Sequence, residues 1–123
     1  MARYCVGIDL GGTNIKSGLL DEARRPTRTR EFPTPMQAGR DAVVKAIVAA
    51  ARAAMAAGGV AAKDVVGVGI GSPGPISISR GIIITLPNIP GMADVPLRDL
   101  VSADLQQRIR REMAAAFLKT HPE

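Results

Sequence analysis

Cysteine, histidine and aromatic rings are almost missing from this chain. Among 123 residues there are one cysteine, one histidine, no tryptophan, one tyrosine and two phenylalanines. A single thiol, Cys5, excludes an internal disulfide and fits a reducing compartment. It lies in an apolar run, where a small buried filler is the ordinary role. Cys5 and His121 together fall short of the four ligands of a structural zinc site. With Tyr4, Phe32 and Phe117 as the only rings, the core has to be built from Ile, Val, Leu and Ala. No apolar stretch reaches membrane-spanning length and no charged-then-apolar leader opens the sequence, so a cytoplasmic location without a membrane span is expected.

What is present fits one modest domain. The chain is 46% hydrophobic and 22% charged, a balance typical of a globular protein rather than a disordered one. The formal charge is +5, and the excess gathers at Arg24, Arg25, Arg28 and Arg30 and again at Arg108, Arg110 and Arg111. Such clusters suit either a solvated face, the commoner outcome, or an anionic ligand.

Along the chain, "RYCVGI" (3–8) reads as a buried strand. "DLGGTN" is a turn, "IKSGLLD" a returning strand and "RTREFPT" (28–34) a third, together an antiparallel meander. From Met36 to Ala57 the period changes. Val43, Val44, Ile47, Val48, Ala51 and Met55 fall at helical spacing, and Gly58-Gly59 gives the stop. "VVGVGIG" (65–71) is then a strand apolar on both faces, which the strand–helix–strand order makes parallel. "SPGPISISRG" reads as a loop, "IIIT" (82–85) as a short strand, and "LPNIPGMADVP" as irregular. Leu97, Val101, Leu105, Ile109, Met113 and Phe117 recur every fourth residue, predicting one helix from Leu97 to Leu118. That helix packs on the sheet or, less commonly for such stripes, docks on a membrane surface or partner.

The chemistry concentrates in "GIDLGGTNIKSGLLD" (7–21). A plain turn needs one glycine. Gly11 and Gly12 together leave backbone N–H groups approachable, and consecutive groups of that kind form a concave anion site. Thr13 adds a hydroxyl and Lys16 a positive charge. A carboxylate such as Asp9 would repel phosphates unless a Mg²⁺ sat between them. The set therefore suits a nucleoside triphosphate, with Asp9 as the metal ligand. The Walker pattern is absent, and "GVGIGS" (67–72) misses the dinucleotide spacing.

Taken in order, "GIDLGGTNIKSGLLD", "VVGVGIGSPGP" and "LPNIPGMADVPLRDL" resemble the N-terminal half of the bacterial ROK family (repressors, open-reading-frame proteins and sugar kinases), and its glucokinase-like members most of all. The likeness runs from Tyr4 to Val101. It implies an α/β fold of the ribonuclease H-like, actin-type ATPase class, present as an incomplete half-domain whose mixed sheet has antiparallel hairpins plus one parallel strand. It implies that Asp9, Gly11, Gly12, Thr13 and Lys16 line the site for ATP and Mg²⁺. It further implies sugar contacts by Gly74, through exposed backbone, and by Asn88, whose carboxamide both donates and accepts. Without the resemblance, Asn88 reads equally well as a turn residue between two prolines.

The family pattern continues with a strand ending in Asn-Asp, whose aspartate is the base on the attacking hydroxyl, and with a cysteine-rich zinc motif. Here "SADLQQRIRREMAAAFLKTHPE" follows, and Asp104 lacks the Asn neighbour that would assign it that role. The expected organisation is a nucleotide-binding part, 1–101, and an amphipathic helical tail, 102–123, outside the family pattern. "VVGVGIG" would then form an exposed apolar edge, covered by the tail, by a second copy or by a complementing chain. The expected function is the ATP-binding portion of a hexose kinase, inactive as this chain alone. The alternatives are a non-catalytic relic and an interaction module acting through the basic tail helix. Too few residues precede Gly7 for a DNA-reading helix-turn-helix, so no specific nucleic acid partner is expected.

Overall fold

A computed structural model describes residues 3–23, 25–61, 64–72, 75–86 and 89–105. The alternating apolar residues at the start form strands β1 (Tyr4–Leu10) and β2 (Asn14–Leu20), followed by β3 (Pro26–Pro33). A 3-10 turn (Met36–Ala38) leads into helix α1 (Arg40–Gly58), and strand β4 (Val65–Gly71) comes next. Three short strands, β5 (Ile76–Ser77), β6 (Ile82–Thr85) and β7 (Ala93–Val95), precede helix α2 (Leu97–Leu105).

The first sheet has the order β3-β2-β1-β4. β1 pairs antiparallel with β2 and parallel with β4, while β2 pairs antiparallel with β3. This is the α/β mixed sheet that the sequence predicts, with its parallel crossover through α1. Register sorts the side chains. Val6, Ile8 and Leu10 stand opposite Leu19, Ser17 and Ile15, and Val6 and Ile8 also face Val68 and Ile70. Those apolar residues share one core cluster with Val43, Ile47, Val48 and Ala51 of α1. Within it the hydroxyl of Ser17, 1% exposed, has no hydrogen-bond partner among the described residues. On the other face Gly7 lies between Gly18 and Gly69, and Asp9 between Lys16 and Gly71. β4 thus differs from the expectation of two apolar faces: its second face is glycine, at Gly67, Gly69 and Gly71. It ends the sheet order among the described residues, yet every residue of it except the half-buried Val66 is buried.

The long helix is shorter at its start than its periodicity suggests. Gly39, at φ 91°, separates the 3-10 turn from α1. At the other end Gly59 takes the left-handed conformation, φ 63°, and the Gly59 and Val60 amides donate to Ala56 and Met55 oxygens at 3.1 and 3.0 Å.

Two readings of the middle segment change. β5 occupies part of "SPGPISISRG", and β7 forms within the Pro- and Gly-rich "LPNIPGMADVP". Both pair antiparallel with β6, with Ile83 opposite Ile76 and Val95. The pairing is driven by burial: Ile83, Leu86, Ile89, Met92 and Val95 join the same core as the first sheet. α2 adds Leu97, Val101 and Leu105. It is tied back by Arg98, whose guanidinium donates to the carbonyls of Ser79 and Arg80 at 3.4 and 3.2 Å, and by an Arg52 hydrogen bond of 3.0 Å to the carbonyl of Asp104. The expected helix to Leu118 is described as far as Leu105, and α2 runs unbroken through position 101. The remainder of the tail, with Arg108, Arg110 and Arg111, lies outside the described residues, as does Arg24. Among the described residues no helix is long and apolar enough to cross a membrane.

Candidate functional site

Five of the residues singled out from the sequence meet at one end of the first sheet. β1 runs apolar until Asp9 and Leu10, and the chain then reverses through Gly11, Gly12 and Thr13 into β2. The reversal closes with the Gly11 amide donating to the Asn14 carbonyl at 2.9 Å. The two glycines differ. A Cβ on Gly11 would lie 2.7 Å from the Asn14 oxygen, so the tight turn itself demands glycine there. A Cβ on Gly12 would meet nothing within 4 Å, and Gly12 has no positive φ. The fold leaves that position free of any need for glycine, and its bare backbone lies open to approach from outside.

Among the described residues no hydrogen bond engages the amides of Gly12 and Thr13. Thr13 is exposed and both glycines are half-buried, so the turn lies at the surface rather than inside the core.

Asp9 stands directly opposite Lys16 across the β1–β2 ladder, on the glycine-bearing face. Lys16 in turn faces Glu31 on β3. Among the described residues neither Asp9 nor Lys16 takes part in an ion pair. The carboxylate oxygen Oδ1 of Asp9 is buried and has no hydrogen-bond partner among the described residues. An ionised carboxylate left this way costs on the order of 1–3 kcal/mol or more, which a cation or a donor would offset. A hard divalent cation accepts such an oxygen ligand readily. By itself the described part forms no closed metal cage: no group of three or more His, Cys, Asp or Glu is gathered anywhere among the described residues. A cation held here would keep most of its ligands from water or from a bound phosphate.

The parallel strands sharpen the position. β1 and β4 end side by side, with Asp9 opposite Gly71. Ligands of open α/β sheets gather at the carboxyl ends of parallel strands, and both such ends are here. Gly74 follows β4 by three residues, yet its placement and that of Asn88 lie outside the described residues.

One residue of the site was not singled out from the sequence. Thr34, 7% exposed, directly follows β3. Its amide donates to the Thr13 carbonyl at 2.8 Å and its hydroxyl to the Gly11 carbonyl, also at 2.8 Å. The available signal was its setting between Pro33 and Pro35, since a residue before proline is held extended.

Comparison with known proteins agrees with this architecture. The model of the ROK family matches residues 5–118. A glucokinase of Halalkalibacterium halodurans is 35% identical over 97 residues, covering 79% of this chain and 29% of that protein. The crystal structure of a ROK hexokinase from Thermus thermophilus superposes with a TM-score of 0.76 at 34% identity, covering 87% of this chain and 34% of that one. A ROK family glucokinase from Streptomyces griseus, solved with glucose and AMPPNP, gives 0.75 at 34% identity, covering 87% and 32%. The chain therefore spans about a third of the length of these relatives. The alternating strands, the parallel crossover and the match over most of the sequence lead to one conclusion: the chain belongs to the ROK family.

Proposed function

We propose that this chain is the nucleotide-binding portion of a hexose kinase, of the glucose type, in which phosphoryl groups pass from Mg-ATP to a sugar hydroxyl. The observation that carries the reading is the pairing of an unpartnered, buried Asp9 Oδ1 with an adjacent turn whose Gly12 and Thr13 amides have no acceptor among the described residues. An anion-binding turn beside a lone carboxylate is contradictory for phosphate alone and coherent for phosphate with a metal.

In this reading Asp9 holds Mg²⁺, directly or through water, and the metal when bound supplies neutralisation of phosphate charge. The amides of Gly12 and Thr13 donate to phosphate oxygens, and Gly11 permits the turn that presents them. The Thr13 hydroxyl adds a donor. Lys16, on the same face as Asp9, contributes a positive charge toward the phosphates. Gly74 and Asn88 are proposed to contact the sugar, in line with the glucose seen in the Streptomyces griseus relative. A sugar hydroxyl needs a base before it attacks, and these 123 residues contain no Asn-Asp pair to supply one. Alone, the chain is proposed to bind nucleotide without turnover; a complementing chain would bring the base.

Calorimetric titration of the 123-residue protein with AMPPNP, with and without Mg²⁺, tests the binding. The expected result is Mg²⁺-dependent binding that weakens at least about 10-fold in D9N, the scale of one charge-assisted contact. Binding indifferent to both Mg²⁺ and D9N would overturn the assignment of Asp9. In the same preparation, transfer of labelled phosphate from ATP to glucose should stay at background, and clear turnover would refute the proposed need for a second chain.

A further inference from the structure

We propose that Thr34 is a positioning residue that aims the Gly12 amide at the ligand; this rests on the reading of the turn as a phosphate site. A peptide unit is planar and trans, so its C=O and N–H point in opposite directions. The oxygen of Gly11 belongs to the same peptide unit as the nitrogen of Gly12. The Thr34 hydroxyl donates to that oxygen at 2.8 Å, and thereby directs the Gly12 N–H away from Thr34. The Thr34 amide, by the same logic, holds the Thr13–Asn14 unit through the Thr13 oxygen at 2.8 Å. One residue thus fixes two of the three peptide units that link Gly11 to Asn14.

Thr34 is itself stiff. Pro33 ends β3 without an N–H, Pro35 restricts the Thr34 backbone to extended conformations, and the Met36 amide donates to the Thr34 carbonyl at 2.8 Å. β3 is paired with β2 up to Pro33 opposite Asn14, so the anchor is continuous with the sheet. A glycine turn is otherwise the most mobile kind of backbone. Preorganising its donors before the ligand arrives lowers the ordering cost of binding.

The test compares T34V and T34A, which lack the hydroxyl, with T34S, which keeps it, in the full 123-residue protein. Amide exchange by NMR reads the clamp without any ligand. In T34V and T34A the Gly11 amide should exchange about 5- to 10-fold faster, the loss of one hydrogen bond, while Val6 and Ile47 keep their rates. T34S should match the parent. Unchanged Gly11 exchange, or equal acceleration at Val6 and Ile47, would overturn the clamp. Titration with Mg-AMPPNP reads the positioning: affinity should fall about 5-fold or more in T34V and return in T34S. Normal affinity in T34V, with a parent that binds, overturns the positioning role alone. A parent that binds no nucleotide overturns the phosphate reading of the turn and the positioning role with it, while the exchange data still decide whether the clamp exists.

Discussion

At Gly11 and Gly12 two identical residues in sequence do different things. The Asn14 carbonyl sits where a Gly11 side chain would begin, whereas the space beside Gly12 is empty. G11A should therefore destabilise the fold, by about 1–3 kcal/mol for a backbone clash that must be relieved by strain. G12A should leave stability within about 0.5 kcal/mol of the parent, as substitutions in open space do. Chemical denaturation of the two variants checks the difference. If the phosphate reading holds, Mg-AMPPNP affinity reverses the ranking: G12A folds normally and loses binding. An equal loss of stability in both would mean that the turn relaxes as a unit and that Gly12 is not reserved for a ligand. Asp9 shows the same separation between letter and role: among the described residues its Oδ1 is buried without a hydrogen-bond partner, and its neighbour on β4, Gly71, offers no donor side chain.

At the scale of the element, the two hairpin turns of the first sheet contrast. The one after β1 leaves amides open, while the one after β2 is closed by a carboxylate. Asp21 accepts hydrogen bonds from the amides of Ala23 and Arg25 at 2.9 and 3.0 Å, and pairs with the Arg25 guanidinium at 3.1 Å. The Arg25 amide is the leading cause that holds its carboxyl below the ordinary 3.8, helped by the charge of the Arg25 side chain. A pKa lowered in the fold favours the folded state above the unfolded value. That contribution diminishes as pH falls through 3.8 and is gone below the folded value. Titration followed at the Ala23 and Arg25 amides by NMR should give one shared midpoint below 3.8, absent in D21N. A midpoint at or above 3.8 would show that the turn does not grip the carboxylate. Because the site is exposed, the effect on global stability should be small.

For the molecule as a whole, the decisive feature is that both sheets share one core. Met92, 2% exposed and directly before β7, and Val95, fully buried on β7, cluster with Val6 and Ile8 of the first sheet and Ile47 of α1. Two sheets with separate cores could melt separately; these should melt together. M92A should cost about 2–5 kcal/mol, the range for a buried methionine truncated to alanine. That loss should lower one common transition, read by amide exchange both in β1 and in β6. If β6 opens in M92A while β1 keeps its protection, the second sheet is an independent unit.

How much of this was legible beforehand depends on the range of the interaction. β1, β2, α1 and the stop at Gly58-Gly59 follow from local rules: alternation, helical period, and the conformations only glycine takes freely. The turn at 11–13 and the acid before it were equally visible, because their chemistry lies within a few neighbouring residues. β5 and β7 were missed since their local composition favours loops and only pairing with β6, with burial of Ile83 and Val95, makes them strands. The sequence by itself thus determined the first hairpin, α1 and the glycine turn with the acid that precedes it. Only the tertiary structure decided that the end of β4 lies beside Asp9, that its glycine face adjoins Gly7 and Asp9, and that a threonine 23 residues from Gly11 holds the turn in place. Those are contacts between segments far apart in the chain, and no local pattern of side chains specifies which distant partner a backbone carbonyl will find.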